Sequence, residues 1–188
     1  MSPKSFRIAG TLAMSSALLS IPFLILSYYF SRDDFPYETY YQSAMHIAGI
    51  IIFTSVTYLL KKLLHDRHFF QVADNYIDFL IITNLIAGIA STARLYLPQW
   101  ADALDQFSII LIAAFGITQV LFGFRLLKLP DNLNGMLRPY CFITIITGLF
   151  ISTVVLLPLG VITGAISDVM LGTIFFQSRE KAIEPDAR

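Results

Sequence analysis

The sequence predicts an all-α protein, a polytopic integral membrane helical bundle with six transmembrane helices. Hydrophobic residues make up 56% of the 188 residues and charged residues only 14%, whereas soluble domains have about 45–50% and about 25% of these two classes. The mean hydropathy of the chain is +0.68. Apolar stretches of about 20 residues, the length that a helix needs to cross a bilayer, recur along the chain. The lipid bilayer is therefore the first partner that the sequence predicts.

The first four predicted spans are separate apolar stretches. Lys4 and Arg7, at the start of the first one, resemble the basic region of a signal peptide. The apolar region that follows them is longer than the ~7–15 residues of such a signal, and it ends in aromatic rather than small residues. We therefore expect an uncleaved first span. The four spans are residues 7–30, 43–63, 75–97 and 107–127.

The apolar run at residues 139–176 is too long for a single crossing. At ~1.5 Å per residue, a helix of this length would extend well past a hydrocarbon core of roughly 30 Å. The segment Pro158-Leu159-Gly160 lies near its middle, and proline interrupts a helix while glycine permits a sharp turn. This predicts two further spans, 139–157 and 160–176, joined by a tight hairpin. Residues 1–188 then form a single transmembrane domain, with 177–188 as a short cytoplasmic tail.

The distribution of basic residues predicts the orientation of the spans. Lysine and arginine favour cytoplasmic loops, and six spans with a cytoplasmic N-terminus leave only Arg32 and Arg94 of the 13 basic residues outside. A five-span arrangement would move Arg179 and Lys181 outside. We therefore expect a multi-pass protein of a cell membrane, such as the bacterial inner membrane, with both termini in the cytoplasm. Seven aromatic residues are predicted to form an interfacial belt at the outer face: Tyr28, Tyr29, Tyr37, Tyr40, Tyr41, Tyr96 and Trp100.

A polar cluster near the middle of the membrane is the candidate binding site. Asp168 falls near the middle of the sixth span, where a charged side chain costs ~2.5–3.5 kcal/mol on insertion scales. Asn84 and Gln119 fall at a similar depth, and Arg94 could reach down from the outer face to pair with Asp168. The alternative interpretation is structural. In it, a protonated Asp168 and the two amides form hydrogen bonds between helices, and Arg94 extends to the lipid headgroups.

Small residues on the sixth span predict a helix-packing face. Gly160, Gly164, Asp168 and Gly172 recur at every fourth position, so they lie along one side of the helix. Small residues on such a side allow another helix to approach closely. We expect the three glycines to pack against a neighbouring helix and the Asp168 carboxyl to face protein rather than lipid.

Motifs for catalysis and for cofactor binding are absent from the sequence. It contains no HExxH, no GxSxG and no phosphate-binding glycine loop, and the single cysteine, Cys141, excludes an internal disulfide and a CxxC redox centre. His65 and His68 share a helix face, but no further ligands complete a metal site. We therefore expect no enzyme activity, no cofactor and no metal. Because the net charge is zero, we expect no nucleic-acid partner.

Of three function classes, the absent motifs make a membrane enzyme the least favoured, and two others remain open from the sequence. The first is a small transporter or ion-conducting protein that uses the mid-membrane polar cluster. The alternative is a non-catalytic membrane subunit or scaffold, whose partner is a second copy of the chain or another membrane protein. The surroundings of Asp168 discriminate between the two functions. A water-filled cavity beside the carboxyl favours transport, and dry packing against another helix favours the scaffold.

Overall fold

A computed structural model of the protein describes residues 3–30, 37–68, 70–130 and 133–183, and these residues form six α-helices and no strand. The predicted all-α helical bundle is therefore confirmed. All of the helices except α5, which has 16 residues, are long and apolar enough to cross a membrane. The helices are α1 (Pro3–Phe30), α2 (Glu38–His68), α3 (Asp74–Tyr96), α4 (Ala101–Leu126), α5 (Leu137–Ser152) and α6 (Leu157–Ile183).

The turn between α5 and α6 lies about one helical turn earlier than predicted. α5 ends at Ser152, and Val154 adopts a left-handed backbone conformation with φ 59°. The amide of Leu157 donates to the Val154 carbonyl at 3.1 Å and closes the turn. Pro158 therefore lies in the first turn of α6, where its missing N–H would have no intrahelical partner in any case. Pro158 therefore belongs to the start of α6 and does not separate α6 from α5.

The sixth helix also continues beyond its predicted end. The apolar pattern places the end of the span at residue 176, but α6 extends to Ile183, about two turns further. Much of the predicted tail is therefore helical, and residues 184–188 lie outside the described residues. The polarity of this last part therefore does not mark the end of the helix.

The helices are arranged as a closed ring. Each helix packs against its neighbours in sequence, α6 packs against α1, and no other pair of the described α-helices brings its backbones close together. Short connections make successive helices antiparallel. One end of the ring therefore carries the C-terminus of α1 and the N-terminus of α2, where Phe30 stacks on Tyr41 with ring centroids 5.3 Å apart. We call this the aromatic end, because all seven residues of the predicted belt lie near it and are exposed.

We call the opposite end of the ring the basic end, because Lys61, Lys62, Arg125 and Arg179 lie toward it on α2, α4 and α6. A tightly packed apolar core closes this end. Side chains from all six helices meet there and are almost completely excluded from solvent. Because lipid tails are as apolar as these side chains, close packing rather than the hydrophobic effect has to hold the helices together. The core includes Phe6, Leu63, Ile77, Leu126, Cys141 and Phe175.

Glycines allow the closest approach between helices, most of all between α4 and α5. A Cβ atom on Gly148 would lie 2.7 Å from the Gly116 carbonyl oxygen and 2.8 Å from the Val120 amide nitrogen. Backbone therefore faces backbone here, and there is no flexible side chain that could move aside. The predicted packing face on α6 does not include this contact.

The predicted face on α6 is only partly a tight contact. A Cβ atom on Gly160 would lie 2.8 Å from Ile151, and one on Gly172 would lie 3.0 Å from Met14. At Gly164, by contrast, the nearest atom would be Thr147 Cγ2 at 3.7 Å, which is an ordinary van der Waals distance. Gly164 therefore differs from the prediction of a close approach, because it makes only an ordinary contact with α5 and also borders open space inside the ring.

The contrast between Gly148 and Gly49 gives a test of the ring packing. A Cβ atom on Gly49 would meet nothing within 4 Å. We expect Gly148→Ala to lower the free energy of unfolding by about 1–3 kcal/mol, the usual cost of overpacking, even though alanine is the better helix former. Gly49→Ala should be at least as stable as the wild type. Thermal unfolding in detergent measures both variants, and equal melting temperatures for the two would contradict the packing described here.

Candidate functional site

A cavity of about 460 Å³ lies inside the ring, between the apolar core and the aromatic end, and all six helices contribute to its wall. Its volume falls within the range of roughly 300–1,000 Å³ that is typical of small-molecule sites. Leu60, Ile77 and Phe122 belong to the core and also line the cavity, so the core forms its floor. Most of the wall is apolar, and it includes Leu19, Phe23, Ile52, Phe53, Leu80 and Phe115.

Asp168 lines this cavity from α6 and is held by α1. The Ser16 hydroxyl donates a hydrogen bond to Oδ2 of Asp168 at 2.6 Å. The bond is possible because the two helices approach closely one turn away, where a Cβ atom on Gly172 would lie 3.3 Å from the Gly10 carbonyl oxygen. A carboxylate has about four acceptor positions, so the bond to Ser16 leaves most of them for other donors.

A group of hydroxyls from α5 and α6 lies beside Asp168. Ser167 and Thr144 are buried, and their hydroxyl oxygens are 3.2 Å apart. Thr144 has a single hydroxyl hydrogen and donates it to the Tyr140 carbonyl at 2.7 Å, so Ser167 is the donor between the two hydroxyls. The Tyr140 side chain interacts with both of them and also lines the cavity. The polar part of the wall is therefore continuous from α1 through α6 to α5.

Asn84 and Gln119 line the cavity from α3 and α4, which lie opposite α6 and α1 in the ring. The side-chain amide oxygen of each residue is buried and has no hydrogen-bond partner. A buried acceptor without a partner costs about 1–3 kcal/mol. Two such atoms in the wall of one cavity are therefore places where a donor carried by a bound molecule would be stabilising.

The structure thus brings together three of the four residues of the predicted polar cluster and separates the fourth. Asp168, Asn84 and Gln119 line the same cavity. Arg94 does not join them, because its guanidinium Nε pairs with Asp105 of α4 at 3.1 Å and both side chains are about half exposed. Gly164, predicted as a packing residue, lines the cavity as well.

The sequence interpretation did not include the hydroxyl residues. Ser16, Thr144 and Ser167 lie at the depth of the cavity, and a search for polar residues at matching depth in every span would have found them. Serine and threonine hydroxyls bond readily to the carbonyl of the preceding turn, as Ser20 does to Ser16 at 2.7 Å. Their presence in a membrane helix is therefore a weaker indication of a site than an aspartate.

Lys61 and Arg125 follow floor residues of the cavity along α2 and α4, and both are engaged with other side chains. Nζ of Lys61 binds both oxygens of Asp78, at 2.6 and 2.7 Å. Nε of Arg125 donates to the Tyr76 hydroxyl at 3.3 Å, and its guanidinium lies over the Tyr76 ring. No lysine, arginine or histidine is among the described residues that line the cavity. The Asp168 carboxyl therefore has no basic partner there.

A second, smaller cavity of about 230 Å³ leads from the central one toward the aromatic end. Ser20, Phe23 and Val161 line both cavities, so the two adjoin between α1, α2 and α6. His46 and Gln42 line its far part, and the Nδ1 atom of His46 is buried without a hydrogen-bond partner. The cavities therefore extend toward the aromatic end, while the core closes the basic end.

No protein-family model, curated protein or solved structure matches the chain. What the structure gives is the coarse class, because an all-helical bundle with five helices long and apolar enough to span a bilayer is the architecture of a membrane protein. In the part of the chain that the structure describes, no three His, Cys, Asp or Glu side chains are grouped so that they could hold a metal ion. Any function therefore has to be argued from the central cavity.

Thiol labelling tests whether the central cavity admits water. We expect Ser20→Cys, on the wall shared by both cavities, to react with a small charged thiosulfonate reagent in detergent on the order of tenfold faster than Ala13→Cys. Ala13 lies on the same helix but is completely buried, so a thiol there has to wait for local unfolding. The wild type measures the background from Cys141, which is also buried. Equal labelling rates for the two variants would show that the cavity is dry.

Proposed function

We propose that this protein is a small membrane transporter whose central cavity binds a solute near the middle of the bilayer. The supporting observation is that Asp168 lines a cavity inside the ring to which all six helices contribute. A carboxyl that served only to join α6 to α1 would pack dry against Ser16. The proposal involves binding and passage of the solute and includes no catalytic step.

The shape of the interior supports passage and not only storage. Transporters bind their substrates near the membrane midplane and open to one side at a time. Here the apolar core closes the basic end, and the second cavity extends the central one toward the aromatic end. This is the arrangement expected of one of the two states, with the gate at the basic end closed.

We assign the basic end to the cytoplasmic side of a cell membrane. The lysines and arginines of α2, α4 and α6 lie near that end, as the positive-inside rule requires, and the exposed tyrosines and Trp100 lie near the other. In this orientation the cavities extend toward the outside of the cell. The solute therefore enters between α1, α2 and α6 from the outer face.

The alternative function, a scaffold that binds partner helices, loses the feature that favoured it. The stripe of small residues on α6 is used within the chain, because Gly160 faces Ile151 of α5 and Gly172 faces Met14 of α1. It is therefore not a free face for another protein. Gly164, the remaining glycine of the stripe, borders the cavity, which fits a binding site better than an external interface.

Solute flux into liposomes tests the proposal. Thermal shifts in detergent with a panel of cationic, neutral and anionic small organic solutes identify the class that binds, and flux of that class is then measured. We expect faster uptake than into empty liposomes, and a loss on the order of tenfold or more in Asp168→Asn, because that variant keeps the shape but not the charge. Asp105→Asn, at an exposed carboxyl outside the cavity, is the matched control. If no solute crosses faster, or if Asp168→Asn is unimpaired, the protein is not this transporter.

Labelling of intact cells tests the proposed orientation. We expect a membrane-impermeant maleimide to label Trp100→Cys in intact cells and to label Lys128→Cys only after the membrane is permeabilised. Both positions are exposed at opposite ends of α4, so accessibility in the isolated protein is matched. The reverse pattern would place the basic end outside and would reverse the proposed direction of entry.

A further inference from the structure

Charge is unbalanced inside the central cavity. Asp168 is the only acidic or basic side chain among the described residues that line it. Lys61 is already paired with Asp78, and Arg94 is already paired with Asp105. The hydroxyl of Ser16 stabilises the carboxyl by one hydrogen bond but brings no charge. An anion placed in this cavity is repelled, whereas a cation finds a partner for the carboxyl that the protein itself does not supply.

Aromatic side chains give the cavity a second feature that suits a cation. Phe53 of α2 and Phe115 of α4 both line it, and their rings meet with centroids 5.5 Å apart at an angle of 57°. α2 and α4 are not packing neighbours, so the two rings meet in front of α3, on the inside of the ring. The face of an aromatic ring attracts a cation within about 6 Å of its centroid. Phe23 and Phe122 add further rings to the wall.

The polar atoms of the wall that lack partners are hydrogen-bond acceptors, so a bound molecule has to supply donors. The buried amide oxygens of Asn84 and Gln119 are acceptors without partners, and the Asp168 carboxylate is also an acceptor. The amide oxygens and the carboxylate lie on opposite sides of the ring, and the wall of the cavity between them is mostly apolar. A molecule that satisfies them has N–H or O–H donors and an apolar body that fills the space between the donors and the far wall.

We infer that the transported solute is an organic cation, an ammonium group carried on an apolar and preferably aromatic body, whose ammonium group pairs with Asp168. This inference rests on the proposed function, because it names the substrate class of the same cavity. The ammonium group supplies the missing charge and the N–H donors for the Asp168 carboxylate, and the body lies against Phe53, Phe115 and the aliphatic wall.

An inorganic cation fits the cavity poorly. Hard cations such as Ca²⁺ and Mg²⁺ need about six or more oxygen ligands around one point. Here the carboxyl and hydroxyl oxygens lie on α1, α5 and α6, while the amide oxygens lie across the ring on α3 and α4. A cavity of about 460 Å³ with a largely apolar wall also far exceeds the space that an ion occupies. The wall therefore favours a solute with a body over a bare ion.

Four probes that share a naphthyl body and differ in their end group test the inference on the full chain in detergent. They are naphthylethylammonium, its trimethylated ammonium ion, neutral naphthylethanol and anionic naphthylpropionate, and calorimetric titration gives a Kd for each. We expect naphthylethylammonium to bind about tenfold or more tightly than the alcohol and the carboxylate, the difference that a charged hydrogen bond makes. The trimethylated ion, which keeps the charge but has no N–H, should bind between these limits.

Variants separate the cavity from partitioning of the probes into detergent. Asp168→Asn should weaken naphthylethylammonium by about tenfold to a hundredfold and leave the neutral alcohol unchanged. Asp105→Asn, which removes an equal charge outside the cavity, should leave both probes unchanged. The comparison of the four probes on the wild type does not depend on the variants, so it decides the question even if Asp168→Asn fails to fold.

The outcomes distinguish this inference from the function on which it rests. If naphthylethanol or naphthylpropionate binds as tightly as the ammonium ion, the substrate class is wrong while a transport function stands. If Na⁺ or K⁺ raises the melting temperature through Asp168 and no organic probe binds, the solute is an inorganic cation and the inference is overturned. If no probe binds and no solute of any class enters liposomes, both the substrate class and the proposed function fail.

Discussion

The contact between α1 and α6 is the interaction on which the rest of the structure depends, because it turns a row of six helices into a ring. Short loops would place neighbouring helices side by side in any arrangement, but only contact between the first and the last closes the interior. That contact needs small residues, and Gly10 and Gly172 allow the two backbones to approach. It then brings Ser16 within 2.6 Å of Asp168. The same contact between α1 and α6 therefore closes the ring and positions the Asp168 carboxyl.

A ring of six helices has an interior that side chains must fill or leave open, and this protein does both. At the basic end large aliphatic and aromatic side chains fill it, whereas from Leu60 toward the aromatic end the side chains of the wall leave it open. Open space inside a protein forfeits van der Waals contacts. In a membrane these contacts hold helices together, so the cavity lowers stability. The tight contact of Gly116 with Gly148 between α4 and α5 helps to offset this loss.

The sequence predicts the number of helices well, but it predicts poorly which side of each helix faces the interior of the ring. The lipid environment is the reason for both results. Long apolar runs identify membrane helices because the bilayer demands them. In water an apolar stripe would also reveal the buried side of each helix, but here the side facing lipid is as apolar as the side facing protein. Only polar and small residues then mark the interior, which is why Asp168, Asn84 and Gln119 were found at one site. The two phenylalanines, Phe53 and Phe115, could not be told from lipid-facing ones.

Two errors in the sequence interpretation have local physical causes. Pro158 was predicted to separate two helices, because proline disrupts a helix interior, but the same residue is well suited to the first turn of a helix. Arg94 was considered as a partner of Asp168 from depth alone. Depth does not include rotation about the helix axis, and Asp105 on the neighbouring α4 is a partner that Arg94 reaches without leaving the polar surface.

The hydrogen bond from Ser16 to Asp168 also bears on how a solute could leave the cavity. A carrier must bind its solute strongly enough to take it from water and weakly enough to release it, as the sites of a conducting pore must. A bare carboxylate surrounded by apolar side chains would hold a cation too tightly, because the charge would have no other stabilisation. Ser16 already supplies one donor, and the hydroxyls of Ser167 and Thr144 lie nearby. In the proposed transport cycle, the carboxyl would keep part of its hydrogen bonding after the solute departs, so the empty cavity would be less costly and release would be faster.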